Sequence, residues 1–280
     1  MTVPATTKRS VLGIGIDATT YDDVVERVFD AARTATGLSV SATAVHGVME
    51  GVHDPEHAAR LNAFDILTPD GQPVRWALNW LHGTKLRERV YGPELMLRCC
   101  ARAAEEGFPI YLYGSTRDVL VPLKRNLEAR FPSLRVAGSS ESRFGMISPD
   151  AQEEIASEIR ASGARMAFVG LGCPRQETFV WGMRDQVSLP MLAVGAAFDF
   201  HAGLAPEAPA WMQRSGLQWL HRFVRNPRRL WRRYVLLNPA YLWRVVGQRF
   251  GRSIELAAPN QLGGEMAPRT PIRDDAAIPG

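Results

Sequence analysis

The chain has 280 residues, 46% hydrophobic and 22% charged. Those proportions suit a folded globular protein and exclude a collagen-like, disulfide-stapled or wholly disordered chain. The net charge of +4 hides an asymmetry. Ten arginines (Arg214, Arg222, Arg225, Arg228, Arg229, Arg232, Arg233, Arg244, Arg249, Arg252) and no Asp or Glu lie between Trp211 and Arg252. Taking those ten from the 33 Lys and Arg leaves 23 against 29 acidic residues, so the remainder of the chain is acidic at −6. Cys99, Cys100 and Cys173 lack metal-ligand spacing and form no disulfide framework, which points to a reducing compartment and buried thiols. Met1 to Ser10 has no signal-peptide apolar core, and no run of 18 apolar residues exists to span a membrane. The expectation is a cytosolic protein that is not necessarily free in the cytosol.

In chain order, short apolar runs predict strands at Val11 to Ile16, Leu38 to Ala44, Asp65 to Thr68, Pro109 to Tyr113, Arg135 to Ala137, Arg165 to Leu171 and Met191 to Val194. Amphipathic stretches predict helices at Tyr21 to Thr36, Pro55 to Asn62, Pro73 to His82, Pro93 to Glu106, Thr116 to Arg130, Pro149 to Ser162 and Pro174 to Val187. Thr20 ahead of Asp22 and Asp23 reads as a cap, and Pro73, Pro93, Pro149 and Pro174 sit where a first-turn proline is tolerated. Strand–helix alternation at this spacing predicts an α/β fold, Rossmann-like, with a mostly parallel sheet and flanking helices. After Gly203 the pattern shifts. Residues 1–210 read as the α/β domain, 211–252 as a helical Arg/Trp-rich appendage interrupted at Asn226-Pro227 and Asn238-Pro239, and 253–280 as a disordered tail.

Ligands of open α/β sheets bind at the carboxyl ends of the strands, so the residues there are the candidates. Asp70, in Pro69-Asp70-Gly71-Gln72, fits a general base or a ribose ligand, with Gly71 allowing close backbone approach. The other reading is a turn-forming Asp-Gly, which is common. Tyr113-Gly114-Ser115-Thr116 could cradle a phosphate at a helix start. Gly170-Leu171-Gly172-Cys173-Pro174-Arg175-Gln176-Glu177 is neither a Walker loop nor a dinucleotide fingerprint, but suits nucleotide or sugar recognition. Asp199 and His201 close the next strand. Asp199 reads as structural, His201 stays unassigned, and no metal-binding cluster is apparent.

The basic block holds four of the seven tryptophans. A nucleic-acid surface, a membrane-surface helix and a solvated basic face all accommodate it, and Trp with Arg most resembles an interfacial signature.

Taken together, Phe64-Asp65-Ile66-Leu67-Thr68-Pro69-Asp70-Gly71, Glu88-Arg89-Val90-Tyr91-Gly92-Pro93-Glu94-Leu95, Gly170 to Glu177, Gly195-Ala196-Ala197-Phe198-Asp199, Gly216 to Arg222 and Asn226 to Tyr234 resemble the WecG/TagA/CpsF family of bacterial glycosyltransferases over roughly residues 11 to 250. The resemblance implies an inverting, metal-independent transferase without a cofactor. It would move a sugar from a UDP-sugar to a polyprenyl-diphosphate-linked glycan in exopolysaccharide, capsule or cell-envelope assembly. Its place would be the inner face of the cytoplasmic membrane. Carried over, Asp70 is the general base, and Thr43, Arg89, Gly114, Gly172, Gln176, Glu177 and Asp199 surround the substrates. Arg222, Arg229 and Arg232 neutralise diphosphate, while Arg225, Arg228, Trp231, Arg233 and Trp243 meet an anionic membrane surface. No nucleic-acid partner is expected, and a homo-oligomer is compatible with the sequence. The chain departs from the common pattern with Thr43-Ala44-Val45-His46 for Thr-x-Asn, Arg175 for Lys, Gln218 and Asn226 for Glu, and Glu207 for Arg. A non-catalytic module binding nucleic acid or a membrane complex through the basic block is the alternative. A nucleotide-dependent sugar oxidoreductase is disfavoured by the missing fingerprint.

Overall fold

The computed structural model describes residues 8–143, 148–209, 211–212, 215–225 and 227–251. The tail expected at 253–280 lies outside them. So do the side chains of Arg222, Arg229, Arg232 and Arg233, for which only the backbone is described.

Six parallel strands form the central sheet: β3 (Leu38–Thr43), β4 (Ile66–Pro69), β5 (Ile110–Tyr113), β6 (Val136–Ser140), β7 (Met166–Val169) and β8 (Pro190–Ala193), in the order β4-β3-β8-β7-β5-β6. Side chains alternate between the two faces with period two, and both faces are buried. Val40, Ile66, Leu112, Phe168 and Leu192 point into one apolar layer. There they meet α1 (Tyr21–Thr34), α5 (Gly92–Glu106) and α6 (Arg117–Arg130) through residues such as Phe29, Leu95 and Leu123. Leu67, Tyr113, Val169 and Ala193 point into the other layer. It is closed by α2 (Val45–His53), α3 (Pro55–Asn62), α4 (Gln72–His82), α7 (Pro149–Ala161) and α8 (Arg175–Met183). The expected fold class is thus the observed one. Cys99 and Cys100 are fully buried, and burial pushes the Cys99 thiol up to about 12.

Three local expectations change. The strand expected at Val11 to Ile16 is a hairpin outside the main sheet, β1 (Lys8–Val11) and β2 (Ile14–Asp17). Its turn residues Leu12 and Gly13 both have positive φ (55° and 86°), the geometry that matches the twist of paired strands. Helix α2 falls where no helix is expected, because Gly47 and Gly51 depress the local propensity. Gly51 is needed for packing: a β-carbon there would lie 2.6 Å from Cδ1 of Ile14. The third change is at Asn238-Pro239, which does not interrupt the appendage. Helices α10 (Gln218–Arg225) and α11 (Pro227–Trp231) are followed by a π-helical segment, Arg232–Leu237, that runs directly into α12 (Asn238–Arg249). Pro239 sits in the first turn of α12, immediately after the π-helical segment.

Helix α12 packs on the domain through Tyr241 and Val245, which join the core of the second layer. Gln248 pins it to the hairpin, accepting from Leu12 N–H (2.9 Å) and donating to the Ser10 carbonyl (3.0 Å).

Candidate active site

Asp70 follows β4 directly. Its N–H donates to the carbonyl of Thr43 (3.2 Å), which extends the β3–β4 ladder one residue, and to that of Thr68 on its own strand (2.9 Å). The segment leading into α5 is stitched to the same strand end. Val90 N–H donates to the Pro69 carbonyl (3.2 Å), and the Thr68 hydroxyl donates to the Val90 carbonyl (3.1 Å). These bonds bring Arg89, Tyr91 and Gly92 opposite Asp70. Gly92 N–H donates to Asp70 Oδ1 at 3.2 Å. Gly92 is the first residue of α5, so the positive end of that helix lies against the carboxylate. Gly92 is confined between Ala42 and the Val194 carbonyl, each 3.1 Å from where a β-carbon would stand. Gly71, by contrast, is not required for close approach, since a β-carbon there would make ordinary 3.6 Å contacts with Ala44.

An open cleft of about 700 Å³, partly continuous with solvent, lies over Asp70. The first turns of α2 and α4 contribute to its floor through Val45, His46 and Gln72. Arg89 and Tyr91 also line the cleft, as do Gly216, Gln218, Trp219 and Asn238 of the appendage. The Arg89 guanidinium stacks on the Tyr91 ring, 4.2 Å from its centroid. The Tyr91 hydroxyl accepts from Gln218 Nε2 at 2.6 Å, and its N–H donates to the Tyr21 hydroxyl at 2.9 Å. Burial holds the Tyr91 phenol well above its ordinary pKa, so it stays protonated.

A second polar group lies along the same edge. Glu177 Oε1 accepts from the Ser41 hydroxyl and from Gln176 Nε2, both at 2.9 Å, and all three residues are buried. Burial raises the Glu177 pKa against the opposing effect of those donors. The donors also orient the Gln176 carboxamide, leaving its Oε1 buried beside Gly195 without a hydrogen-bond partner. A ring nitrogen of His57, Cys173 Sγ and a Glu177 oxygen lie within 4.8 Å of one another, a set that could hold a cation, and with Nδ1 facing Arg60 the nitrogen left for it is Nε2. The tautomer argues against it. Arg60 Nη1 lies 3.2 Å from His57 Nδ1 and can only donate there, so the ring proton sits on Nε2. A metal-binding imidazole needs the reverse, with a donor N–H on the nitrogen facing away from the ion. The cluster fits an imidazole N–H facing a carboxylate.

Of the expected site residues, the fold brings Asp70 and Arg89 together at the cleft. Thr43 is buried beneath it, supporting Asp70 through its carbonyl. Gln176 and Glu177 lie along the strand ends, behind the cleft lining. A β-carbon at Gly172 (φ +76°) would meet nothing within 4 Å, and the Gly172 carbonyl accepts from Gln176 N–H at 2.9 Å. Gly114 terminates β5, four strands from Asp70 and so roughly 19 Å away across the sheet. Its role is close packing, since a β-carbon there would lie 2.8 Å from the Gly170 carbonyl. Asp199 is exposed on the short helix α9 (Ala197–His201), away from the cleft lining. His201 ties α9 to α5, donating from Nε2 to the Pro93 carbonyl at 2.9 Å. Arg225, Arg228, Trp231 and Trp243 are exposed on the appendage. Tyr91, His46, Gln218 and Trp219 enter the site although the sequence assigns them no role, His46 and Gln218 standing out there only as departures from the family pattern.

The profile of the glycosyl transferase WecG/TagA/CpsF family matches residues 9–255. The chain belongs to this family. Two relatives carry the name N-acetylglucosaminyldiphosphoundecaprenol N-acetyl-β-D-mannosaminyltransferase. The protein from Bacillus spizizenii is 31% identical over 198 residues, 70% of this chain and 74% of its own. The protein from Bacillus subtilis strain 168 is 26% identical over 234 residues, 83% of this chain and 88% of its own. The cleft over Asp70 is accordingly the candidate active site of a WecG/TagA/CpsF glycosyltransferase. Among the described residues of this family member, no helix is long and apolar enough to cross a membrane.

Proposed function

We propose that the protein transfers an N-acetylhexosaminyl group from a UDP-linked donor to a sugar carried on a polyprenyl diphosphate, with inversion at the anomeric carbon. The acceptor class follows the names of the two relatives, which describe mannosaminyl transfer to N-acetylglucosaminyl-diphosphoundecaprenol. The observation that carries the mechanism is the position of Asp70: a carboxylate on a strand end in an open cleft, held by Gly92 N–H through one oxygen. In this reading Asp70 takes the proton of the acceptor hydroxyl. The oxygen forms the new bond to the anomeric carbon as the bond to UDP breaks, and UDP leaves with the bonding pair. The reaction is metal-independent, as the family resemblance implies, so cations of the chain stabilise the departing diphosphate. Arg89 already lines the cleft, and the appendage arginines Arg222, Arg229 and Arg232 are candidates from the resemblance. The appendage would hold the enzyme on the inner face of the cytoplasmic membrane, where a lipid-linked acceptor is presented.

The test is Asp70→Asn, which keeps the shape and an acceptor oxygen for Gly92 but removes the base. With UDP-N-acetylmannosamine and a lipid-diphosphate-linked N-acetylglucosamine, kcat should fall about 10²–10⁴-fold with little change in melting temperature. Undiminished turnover would remove Asp70 from this role.

A further inference from the structure

Tyr91 lies in the family-like run Glu88 to Leu95 but has no role in the reaction proposed above. Its surroundings give it one. A phenol oxygen has one hydrogen to donate and can accept. Tyr91 uses its acceptor capacity on Gln218 Nε2. Among the described residues no protein group accepts its hydrogen. The Arg89 guanidinium on its ring forms no ion pair with any described carboxylate. Both side chains line the cleft. An unsatisfied O–H donor and an unpaired cation side by side, in a cleft whose floor includes the first turns of two helices, make an anion subsite.

We propose that Tyr91 is a substrate-contacting residue that donates its phenolic hydrogen to a phosphoryl oxygen of a diphosphate, beside Arg89. Gln218 sets the direction of that donation. An amide N–H on the phenol oxygen leaves the hydrogen for the ligand, whereas the glutamate common at this position in the family would take it for itself. Burial keeps the phenol protonated and therefore a donor across the working pH range. The inference rests on the glycosyl-transfer reading, in which both substrates carry a diphosphate.

Tyr91→Phe, Gln218→Leu and the double variant decide it, each checked for its melting temperature. Kinetic constants are measured for UDP-N-acetylmannosamine and for a short-chain polyprenyl-diphosphate N-acetylglucosamine. Binding of inorganic diphosphate is measured by calorimetry. Y91F should weaken inorganic diphosphate binding by about tenfold or more and lower kcat/KM about 10- to 100-fold. A KM rise confined to the nucleotide sugar assigns the donor diphosphate, and one confined to the lipid assigns the acceptor. The double variant should stay as impaired as Y91F. If it regains parental activity, Tyr91 serves only to anchor Gln218 and the proposal falls. It falls equally if Y91F and the parent bind inorganic diphosphate alike. A parent that binds diphosphate but turns over no UDP-sugar refutes the glycosyl-transfer reading instead. Should Y91F fail to fold, diphosphate binding by Q218L keeps the test open: unchanged affinity overturns the role given to Gln218, and weakened affinity supports it.

Discussion

Gly216 rests on the indole edge of Trp76: a β-carbon at Gly216 would stand 2.7 Å from Cη2 of that ring. Gly216 also has φ +77°, a region that side-chain-bearing residues enter at a cost. Trp76 lies on α4, whose first turn lines the cleft, so this contact seats the appendage segment that carries Gln218 and Trp219.

Gly216→Val should therefore impair the site more than the fold. The strained backbone and the clash together amount to about 1–3 kcal/mol, and shifting the segment relieves them. The expected outcome is at least a tenfold fall in kcat/KM with a melting temperature lowered by a few degrees. Trp76→Leu in the same chain should recover part of the loss by opening space for the valine. A variant with parental kinetics would show that the segment need not sit on Trp76.

Most of the sheet and its helices are legible in the sequence because local chemistry specifies them. Helix α3 begins and ends at the residues expected, since Asp54 caps the N–H groups of Glu56 and His57 and Pro55 fits the first turn. Helix α2 is opaque for the opposite reason: its glycines Gly47 and Gly51 serve close approach to Cys173 and Ile14, which lie elsewhere in the chain. The hairpin is opaque because Leu12-Gly13 lacks the usual Asn-Gly signal.

At the site, Asp70 is legible because a strand end and an Asp-Gly turn coincide. Tyr91 is not. Its partner Gln218 lies 127 residues away, so the hydrogen bond that holds its hydroxyl exists only in the folded chain. Glu177 looks like a polar residue on a helix start. Only the packing of β3 beside it shows that Ser41 and Gln176 occupy it.

The appendage should carry the protein to anionic membranes. Trp243, Phe250, Val224 and Leu242 are all more than half exposed, in a segment without acidic residues. Arg225 and Arg228 are exposed beside them, and each arginine near an anionic surface contributes about 1 kcal/mol. In flotation assays the protein should rise with phosphatidylglycerol vesicles, rise little with phosphatidylcholine vesicles, and be released by salt. Trp243→Ser with Phe250→Ser should cut the bound fraction several-fold at equal vesicle charge. A gel shift with RNA and no flotation would favour the nucleic-acid reading of the basic block.

Acid should destabilise the protein partly through His57. Burial, and secondarily the Arg60 charge, push its pKa down from 6.5 to about 4, against the weaker opposing pull of Asp54. Between those values the unfolded chain binds a proton that the folded chain refuses, so stability falls as pH drops from about 6.5 towards 4. The total is about 3 kcal/mol. His201, also depressed by burial, acts in the same direction. Glu177 acts in the opposite one: its raised pKa means the folded state takes up a proton first, and that contribution is lost as pH rises. The His57 share is therefore read as a difference between proteins. Urea midpoints for the parent and His57→Leu, measured at pH 7 and pH 5, should show the parent losing more on acidification. Replacing His57 also removes the acceptor for Arg60, but that loss is independent of pH in this range and cancels in the comparison. Equal acid losses in the two proteins would mean that His57 is not held neutral by its burial against Glu177 and Cys173.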